Sequence, residues 1–264
     1  MTQVSTPKLE VSCSAGRGIL AAEDCLQCAL DGYNECGFEY GLLRALFNNS
    51  DRSGIHVSDL VGCLKSAYLT KVDPQPEYVH EKLARTLGTL VHGILEESDE
   101  YADAELALSA LGIVGRADRV YKDGRVVDYK TTRWMYVDKL PYSSHGLQVN
   151  IYAHLLRKMG REVNSIAIQY IDLSGPTKCR KCSLPVRKTN GTLACPKCGN
   201  EPKGAHLGAY LVDIPLMDEE CLDELIVGRR EELQAALDTG LAPMGEPSFL
   251  CAYCQHREGC SEAQ

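Results

Sequence analysis

The sequence predicts an α/β domain that carries small cysteine-held metal modules, and three observations predict it. Beyond a break at "DPQPE" (73–77), strand-like runs alternate with helical patterns. Twelve of the thirteen cysteines fall into groups with metal-ligand spacing. The 264 residues, 44% of them hydrophobic, suffice for one sizeable core plus small modules. The net charge of −8 argues against a chain that coats nucleic acid by bulk electrostatics. It leaves room for a site where divalent ions or local basic clusters reverse the field. The start, "MTQVSTPKLEVS", holds no apolar signal segment, and no run approaches membrane-spanning length. A soluble, cytoplasmic protein with no membrane partner is therefore expected. An odd cysteine count in a reducing compartment fits disulfides poorly.

Taken in order, residues 1–50 form a Cys-rich module with Cys13, Cys25, Cys28 and Cys36 in a Gly-rich stretch, then a short helix "YGLLRALF". Residues 51–264 form the main domain. Ser58 is a good N-cap for a helix "DLVGCLKSAYL" that contains Cys63. After the "DPQPE" break a long amphipathic helix runs to about Ser98, with Leu83, Leu87, Leu90, Val91, Ile94 and Leu95 at helical spacing. The hairpin "GRADRVYKDGRVVDYKTT" (115–132) follows, its strands rich in Val and Tyr and its turn at Lys122-Asp123-Gly124. A helix from about Ser144 to Met159 stops at Gly160. "SIAIQYIDL" (165–173) and "AHLGAYLVDIP" (205–215) read as strands, neighbours joined by a hydrophilic insertion, 176–204. Asp218 opens a last helix with Leu222, Leu225, Ile226, Leu233 and Leu237 on its apolar side, ended by Gly240. Cys221, outside every group, reads as a small buried hydrophobe on that helix. The tail, 249–264, holds "CAYCQHREGC".

Register decides what the hairpin can do. A two-residue Asp-Gly loop would pair Asp118 with Tyr129 and set Asp118 and Asp128 on opposite faces. A three-residue loop with Gly124 left-handed pairs Asp118 with Asp128 and puts Lys130 on the same face as Asp128. Two carboxylates about 5 Å apart at Cβ repel, so the second register needs a cation between them.

The hairpin has company. "GTLVHGILE" puts His92 on the preceding helix, and "QVNIY" puts Gln148 and Tyr152 four apart on the next. This ordered set, His, Gly-x-x-Asp, Asp-x-Lys and Gln-x-x-x-Tyr, resembles the RecB-type branch of the PD-(D/E)xK nucleases. It most resembles the small CRISPR-associated adaptation exonucleases and their phage relatives, which carry an iron–sulfur cluster. The likeness covers residues 55–264. It implies a PD-(D/E)xK core, a central mixed sheet flanked by helices. It also implies metal-dependent cleavage of DNA, at single-stranded ends. By that resemblance His92, Asp118, Asp128 and the carbonyl of Tyr129 would hold Mg²⁺ or Mn²⁺. Lys130 would orient or deprotonate water and offset phosphate charge, while Gln148 and Tyr152 would position Lys130 or the DNA backbone. Asp128 stands where many relatives have glutamate. The residue types suit the chemistry independently, because hard oxygen ligands take Mg²⁺ or Mn²⁺ and a cation stabilises the phosphoryl transition state. Asp-x-Lys alone would be an ordinary charged hairpin. His92 alone could be a core histidine, and Gln148 and Tyr152 could simply pack.

Among the cysteines, Cys179-x2-Cys182-x12-Cys195-x2-Cys198 is the most specific pattern, a zinc ribbon whose polar insertion is too poor in apolar residues to fold without metal. Its Lys178, Arg180, Lys181, Arg187 and Lys188 suit a DNA backbone or a protein partner, or no more than a solvated face. Cys13, Cys25, Cys28 and Cys36 make a weaker zinc pattern. Cys251-x2-Cys254-x5-Cys260 lacks a fourth local ligand. His256 would complete it for zinc, whereas the resemblance supplies Cys63 and a [4Fe–4S] cluster. Trp134 could stack on an unpaired base, though a packed aromatic is the plainer reading. The rival function is a non-catalytic DNA-end or protein-binding subunit whose zinc modules are the working surface. A zinc-ribbon adaptor for nucleoprotein assembly is a third. The resemblance leaves the pathway open between CRISPR adaptation, recombination and repair, with the protein partners such complexes contain.

Overall fold

The computed structural model describes residues 9–33, 35–47, 53–96, 102–132, 135–189 and 191–262, so Trp134, Ser98 and the Leu95 side chain lie outside the described residues. The chain opens with β1 (Glu10–Ser12), β2 (Ile19–Ala21), α1 (Ala22–Leu30) and α2 (Tyr40–Leu46). Next come α3 (Val57–Leu60), α4 (Leu64–Val72), β3 (Glu77–Tyr78) and α5 (Val79–Glu96). Strands β4 (Ala102–Ala110), β5 (Ile113–Tyr121) and β6 (Arg125–Thr132) precede α6 (Ser143–Lys158) and β7 (Ser165–Asp172). The ribbon holds β8 (Arg187–Thr189) and β9 (Thr192–Ala194), and the chain ends with β10 (Ala209–Ile214), α7 (Glu219–Thr239) and short 3-10 turns.

The central sheet is mixed, in the order β10-β7-β6-β5-β4, and helices flank it. Only β6 and β7 run parallel, which requires a long crossover, and α6 is that crossover. α6 buries eight consecutive residues, Val149 to Leu156, because it packs on the sheet and on α7. Its two buried polar side chains are stabilised by partners. Asn150 accepts from the Met217 N–H at 2.8 Å and donates to the carbonyls of Gly146 and Pro215. His154 meets Asp223 at 2.9 Å, fastening α6 to α7. A second, smaller sheet pairs β2, β1 and β3, and a cluster of Val11, Cys25, Leu43, Leu46 and Val79 roots it on the start of α5. Among the described residues no helix is long and apolar enough to cross a membrane.

The hairpin adopts the three-residue turn. Arg119 pairs with Val127 and Val120 with Val126, and Gly124 sits at φ +83°. Three expectations are corrected, and one strand appears that the sequence did not announce. The single helix around Cys63 is two, α3 and α4. Gly62 is a poor helix former, and Cys63 is extended at ψ 119°. The Leu64 N–H bonds Glu246 at 3.2 Å instead of an earlier turn of helix, and Arg229 holds the Gly62 carbonyl. Cys221 is exposed, because Leu222 beside it takes the inward position one helical step away. Leu87, Leu90 and Ile94 are exposed too, since α5 turns Gly88 and His92 inward instead: a Cβ on Gly88 would lie 2.9 Å from Thr131 Oγ1. Finally, β4 has no strand signal in "ADAELALSA", whose Ala, Glu and Leu favour helix. Its long ladder with β5 overrides that local preference.

Gly115 explains the glycine of Gly-x-x-Asp. A Cβ there would meet Val57 Cγ2 at 2.9 Å and Tyr152 Cε1 at 3.0 Å, so the missing side chain is the slot that Tyr152 fills. Gly115→Ala should destabilise the fold by about 1–3 kcal/mol in urea unfolding. Gly146→Ala, whose nearest neighbour is 3.9 Å away, should be neutral or stabilising. Equal stability of the two variants would contradict the slot.

Candidate active site and metal centres

The hairpin's paired register ends at Arg119 and Val127, and just beyond it stand the acidic groups. The Tyr129 N–H donates to Asp118 Oδ2 at 2.6 Å, so β6 fixes the carboxylate through its own backbone. Asp118 Oδ1 lies 3.5 Å from His92 Nδ1, and Glu105 Oε1 lies 3.8 Å from the same nitrogen. The His92 ring meets Tyr129 edge-on at 6.1 Å. His92, Glu105 and Asp118 each offer a ligand atom within 4.8 Å of the others. Their donor chemistry, one imidazole and two carboxylates, fits a divalent cation. The hydrogen bond with Asp118 raises the His92 pKa above its ordinary value against the effect of burial, and the charges of Asp118 and Glu105 add to the rise.

Asp128 and Lys130 stand on β6 outside that three-residue group. Asp128 is 1% exposed, and its Oδ2 lies 2.8 Å from Lys130 Nζ. The ion pair is close but misdirected, because that buried oxygen has no hydrogen bond of good geometry. Burial pushes the Asp128 carboxyl above the usual carboxylate range; Lys130 pulls it back and the Asp118 charge adds to the rise. A buried carboxylate with an orphaned oxygen and the charge of Asp118 upon it is a place where a cation lowers the energy.

The ordered motif is thus brought together around β5, β6, α5 and α6. Gln148 donates to the Tyr152 hydroxyl at 2.7 Å, and Tyr152 sits in the Gly115 slot of β5. The Gln-x-x-x-Tyr helix therefore braces the strand that carries Asp118.

Two residues escaped the sequence reading. Glu105 lies on unforeseen β4, flanked by the pairs Ala104 with Arg119 and Leu106 with Ala117, which sets it across from Asp118. Its backbone is left-handed at φ 47°, a conformation costing a non-glycine residue about 1–2 kcal/mol. Such strain is kept where a side chain has work to do. His145 on α6 is the other. Burial, then the Lys130 charge, push its imidazole down to about 4, and it lies 3.2 Å from the Tyr170 hydroxyl. It is a neutral hydrogen-bonding group beside the lysine. No periodicity marks either residue.

The family model for the PD-(D/E)XK nuclease superfamily matches residues 99–261. The chain belongs to that superfamily. It is a nuclease of a class that uses divalent metals, which suits the acidic cluster. The crystal structure of SSO0001 is similar, at 19% identity and a TM-score of 0.50, covering 84% of this chain and 93% of that one. A phage-related exonuclease from Haemophilus somnus 129PT is similar at 10% identity and a TM-score of 0.42, covering 72% and 97%. No curated protein sequence matches.

Around the PD-(D/E)XK site stand three cysteine groups. Cys179, Cys182, Cys195 and Cys198 have all four sulfurs within 4.8 Å of one another, with Cys179 and Cys198 at 3.7 Å. A tetrahedron of sulfurs about 2.3 Å from zinc has edges of about 3.8 Å. The two knuckles repeat one backbone pattern. Cys179 and Cys195 each donate N–H to the carbonyl five residues on and accept from the N–H four residues on. That fourth residue is left-handed both times, Ser183 at φ 55° and Gly199 at φ 69°.

In the tail, Cys63, Cys251, Cys254 and Cys260 line one cavity of about 400 Å³ together with His256. No three of these sulfurs come within 4.8 Å of one another. The Glu246 and Ser248 N–H groups donate to Cys63 and Cys251 at 3.4 and 3.3 Å. The N-terminal thiols form a looser group. Cys25 is raised to about 11 by burial and then by Cys36, Cys13 and Cys28, its three neighbours.

Glu105 should contribute to metal affinity. Glu105→Gln is expected to weaken Mn²⁺ binding about tenfold, or ~1.4 kcal/mol, in isothermal titration. An affinity equal to the native chain's would remove Glu105 from the site.

Proposed function

We propose that this chain is a Mg²⁺- or Mn²⁺-dependent deoxyribonuclease that trims single-stranded DNA ends. The observation that carries the reading is the convergence of His92, Glu105 and Asp118 beside the buried Asp128–Lys130 pair. His92, Asp118, Asp128 and the Tyr129 carbonyl would hold the cation, with Glu105 as a further ligand. Once bound, it supplies Lewis-acid polarisation of the phosphate and a water made acidic. Lys130 orients that water and offsets charge gathering on the phosphate oxygens, an interaction stronger in the transition state than before it. Tyr129, through its N–H, keeps Asp118 in place, and Gln148 with Tyr152 holds β5 against α6. Preference for single-stranded ends, and a setting in CRISPR adaptation, recombination or repair in the cytoplasm with the partners of such complexes, rest on the sequence resemblance alone.

The cysteine groups take different metals in this reading. Four sulfurs at tetrahedral spacing support a closed structural zinc in the ribbon, with no open position for water. Four sulfurs spread around a cavity support a [4Fe–4S] cluster on Cys63, Cys251, Cys254 and Cys260, where a single zinc would need them closer. Backbone N–H donors aimed at two of those sulfurs suit thiolate ligation. The cluster would fasten the tail to the start of α4, closing a loop of nearly the whole main domain. Cys13, Cys25, Cys28 and Cys36 would hold a second zinc. The domain division at residue 50 follows the same reading: a zinc-held N-terminal module, then the nuclease domain with its ribbon insertion and iron–sulfur tail.

Two measurements test this. With labelled single- and double-stranded DNA and Mn²⁺, Asp118→Asn and Asp128→Asn should each lower cleavage by roughly 10²–10³-fold or more, with the fold retained. Native-rate cleavage by both would end the nuclease mechanism in favour of a non-catalytic end-binding subunit. Anaerobically purified chain should be brown and carry iron, and Cys63→Ala should be colourless and prone to aggregate. Stoichiometric zinc without iron at the tail would overturn the cluster.

A further inference from the structure

The ribbon carries positive charge that no carboxylate among the described residues pairs with. Residues 176–204 hold seven lysines and arginines against a single acidic residue, Glu201, in a chain whose net charge is −8. All seven basic side chains are exposed, and among the described residues none forms an ion pair. Elsewhere the pattern is different. Lys65, Lys71, Arg85, Arg116, Arg157 and Arg230, for example, each have a carboxylate partner. A local excess of unpaired positive charge on an acidic protein repels itself and persists where an anionic partner neutralises it.

Position gives the charge a direction. The ribbon leaves the sheet directly after β7, whose Asp172 pairs with Thr132 in the parallel register that also sets Lys130 beside Tyr170. Two strand residues, about 7 Å of rise, separate Lys130 from the ribbon's root. That root is stiff. Asp172 is 5% exposed and accepts from the Met135 N–H at 3.2 Å, from the Ser174 N–H at 2.8 Å and from the Ser174 hydroxyl. His206, on the returning leg of the neck before β10, lies 3.5 Å from the same carboxylate. Thr177 donates N–H to the His206 carbonyl, and the Thr177 hydroxyl accepts from the His206 N–H, both at 3.0 Å. Gly208, at φ +89°, lets the neck close, since a Cβ would sit 3.1 Å from Pro176 N. One buried carboxylate thus ties the chain following Lys130 to both legs of the ribbon. The basic module is rooted two strand residues from Lys130.

The geometry points to the ribbon as a phosphate-binding arm that holds the backbone of a single-stranded nucleic acid as it enters the Lys130 site. The inference rests on the nuclease reading and deepens it. It explains how an acidic nuclease meets a polyanion: the catalytic carboxylates attract the cation, and the ribbon supplies the sequence-independent grip. Arg180 and Lys181 lie on the first knuckle, and Arg187 and Lys188 on or beside β8. These residues would touch phosphates, not bases, so they position the strand without choosing its sequence.

The test uses the full chain with Ca²⁺ in place of Mn²⁺, and reads binding of a labelled single-stranded oligonucleotide across a salt series. Replacing Arg180, Lys181, Arg187 and Lys188 by Gln should weaken binding at least tenfold at low salt. It should also flatten the plot of log affinity against log salt by roughly 0.7 for each phosphate no longer neutralised. Zinc content and melting temperature should match the native chain, which separates removal of charge from unfolding of the ribbon. A charge-keeping variant, Arg180→Lys with Arg187→Lys, should retain the native salt slope. Native affinity and slope in the four-charge variant, with zinc intact, would overturn the proposal and leave the surface to an acidic protein partner. Because binding is read without turnover, a chain that binds through the ribbon but never cuts would sink the nuclease reading and leave this one standing.

Discussion

A buried Asp128–Lys130 pair beside the cluster of His92, Glu105 and Asp118 sets the terms for the rest of this structure. Glu105, Asp118 and Asp128 come from three adjacent strands, and Lys130 answers only one of them directly. Such a site is unfavourable in itself, because burial, and then the Asp118 charge, raise the Asp128 carboxyl against the pull of Lys130. The fold keeps it by strong local fixation: a backbone N–H on Asp118, an imidazole between Asp118 and Glu105, and a left-handed backbone at Glu105. Stored repulsion of this kind becomes binding energy when a divalent cation arrives.

The surrounding architecture serves to hold those strands rigid. α6 is buried along eight consecutive residues and joins the parallel pair of the central sheet, so it braces β5 through Tyr152 while spanning β6 to β7. α5 brings His92 in from elsewhere, and its start is anchored by the small N-terminal sheet. The tail returns to the start of α4, where Glu246 caps Leu64 and Lys65 pairs with Glu262 at 2.6 Å. The ribbon cysteines follow β7 and the tail cysteines gather against α4, both groups outside the acidic cluster.

Much of this was legible in the residues because it follows short-range rules. The three-residue turn needed a glycine that tolerates positive φ, and Gly124 stood there. Gly160 and Gly240 ended their helices, and Asp218 capped α7. The four ribbon cysteines declared themselves by spacing. What escaped depended on contacts distant in sequence. β4 is written in helix-forming residues and becomes a strand because β5 offers a ladder, so Glu105 could not be foreseen. The break at Gly62 depends on Glu246 and Arg229, more than 160 positions away. The outward turn of Leu87, Leu90 and Ile94 follows from where His92 has to point, which periodicity cannot reveal.

If the acidic cluster holds a divalent cation, anomalous diffraction at the manganese edge from crystals grown with Mn²⁺ will show it there. The expected map has a manganese peak within coordination distance, roughly 2.0–2.3 Å, of His92 and Asp118, with Glu105 or Asp128 turned toward it. A map with manganese only at surface carboxylates, and the Asp128–Lys130 pair unmoved, would contradict it.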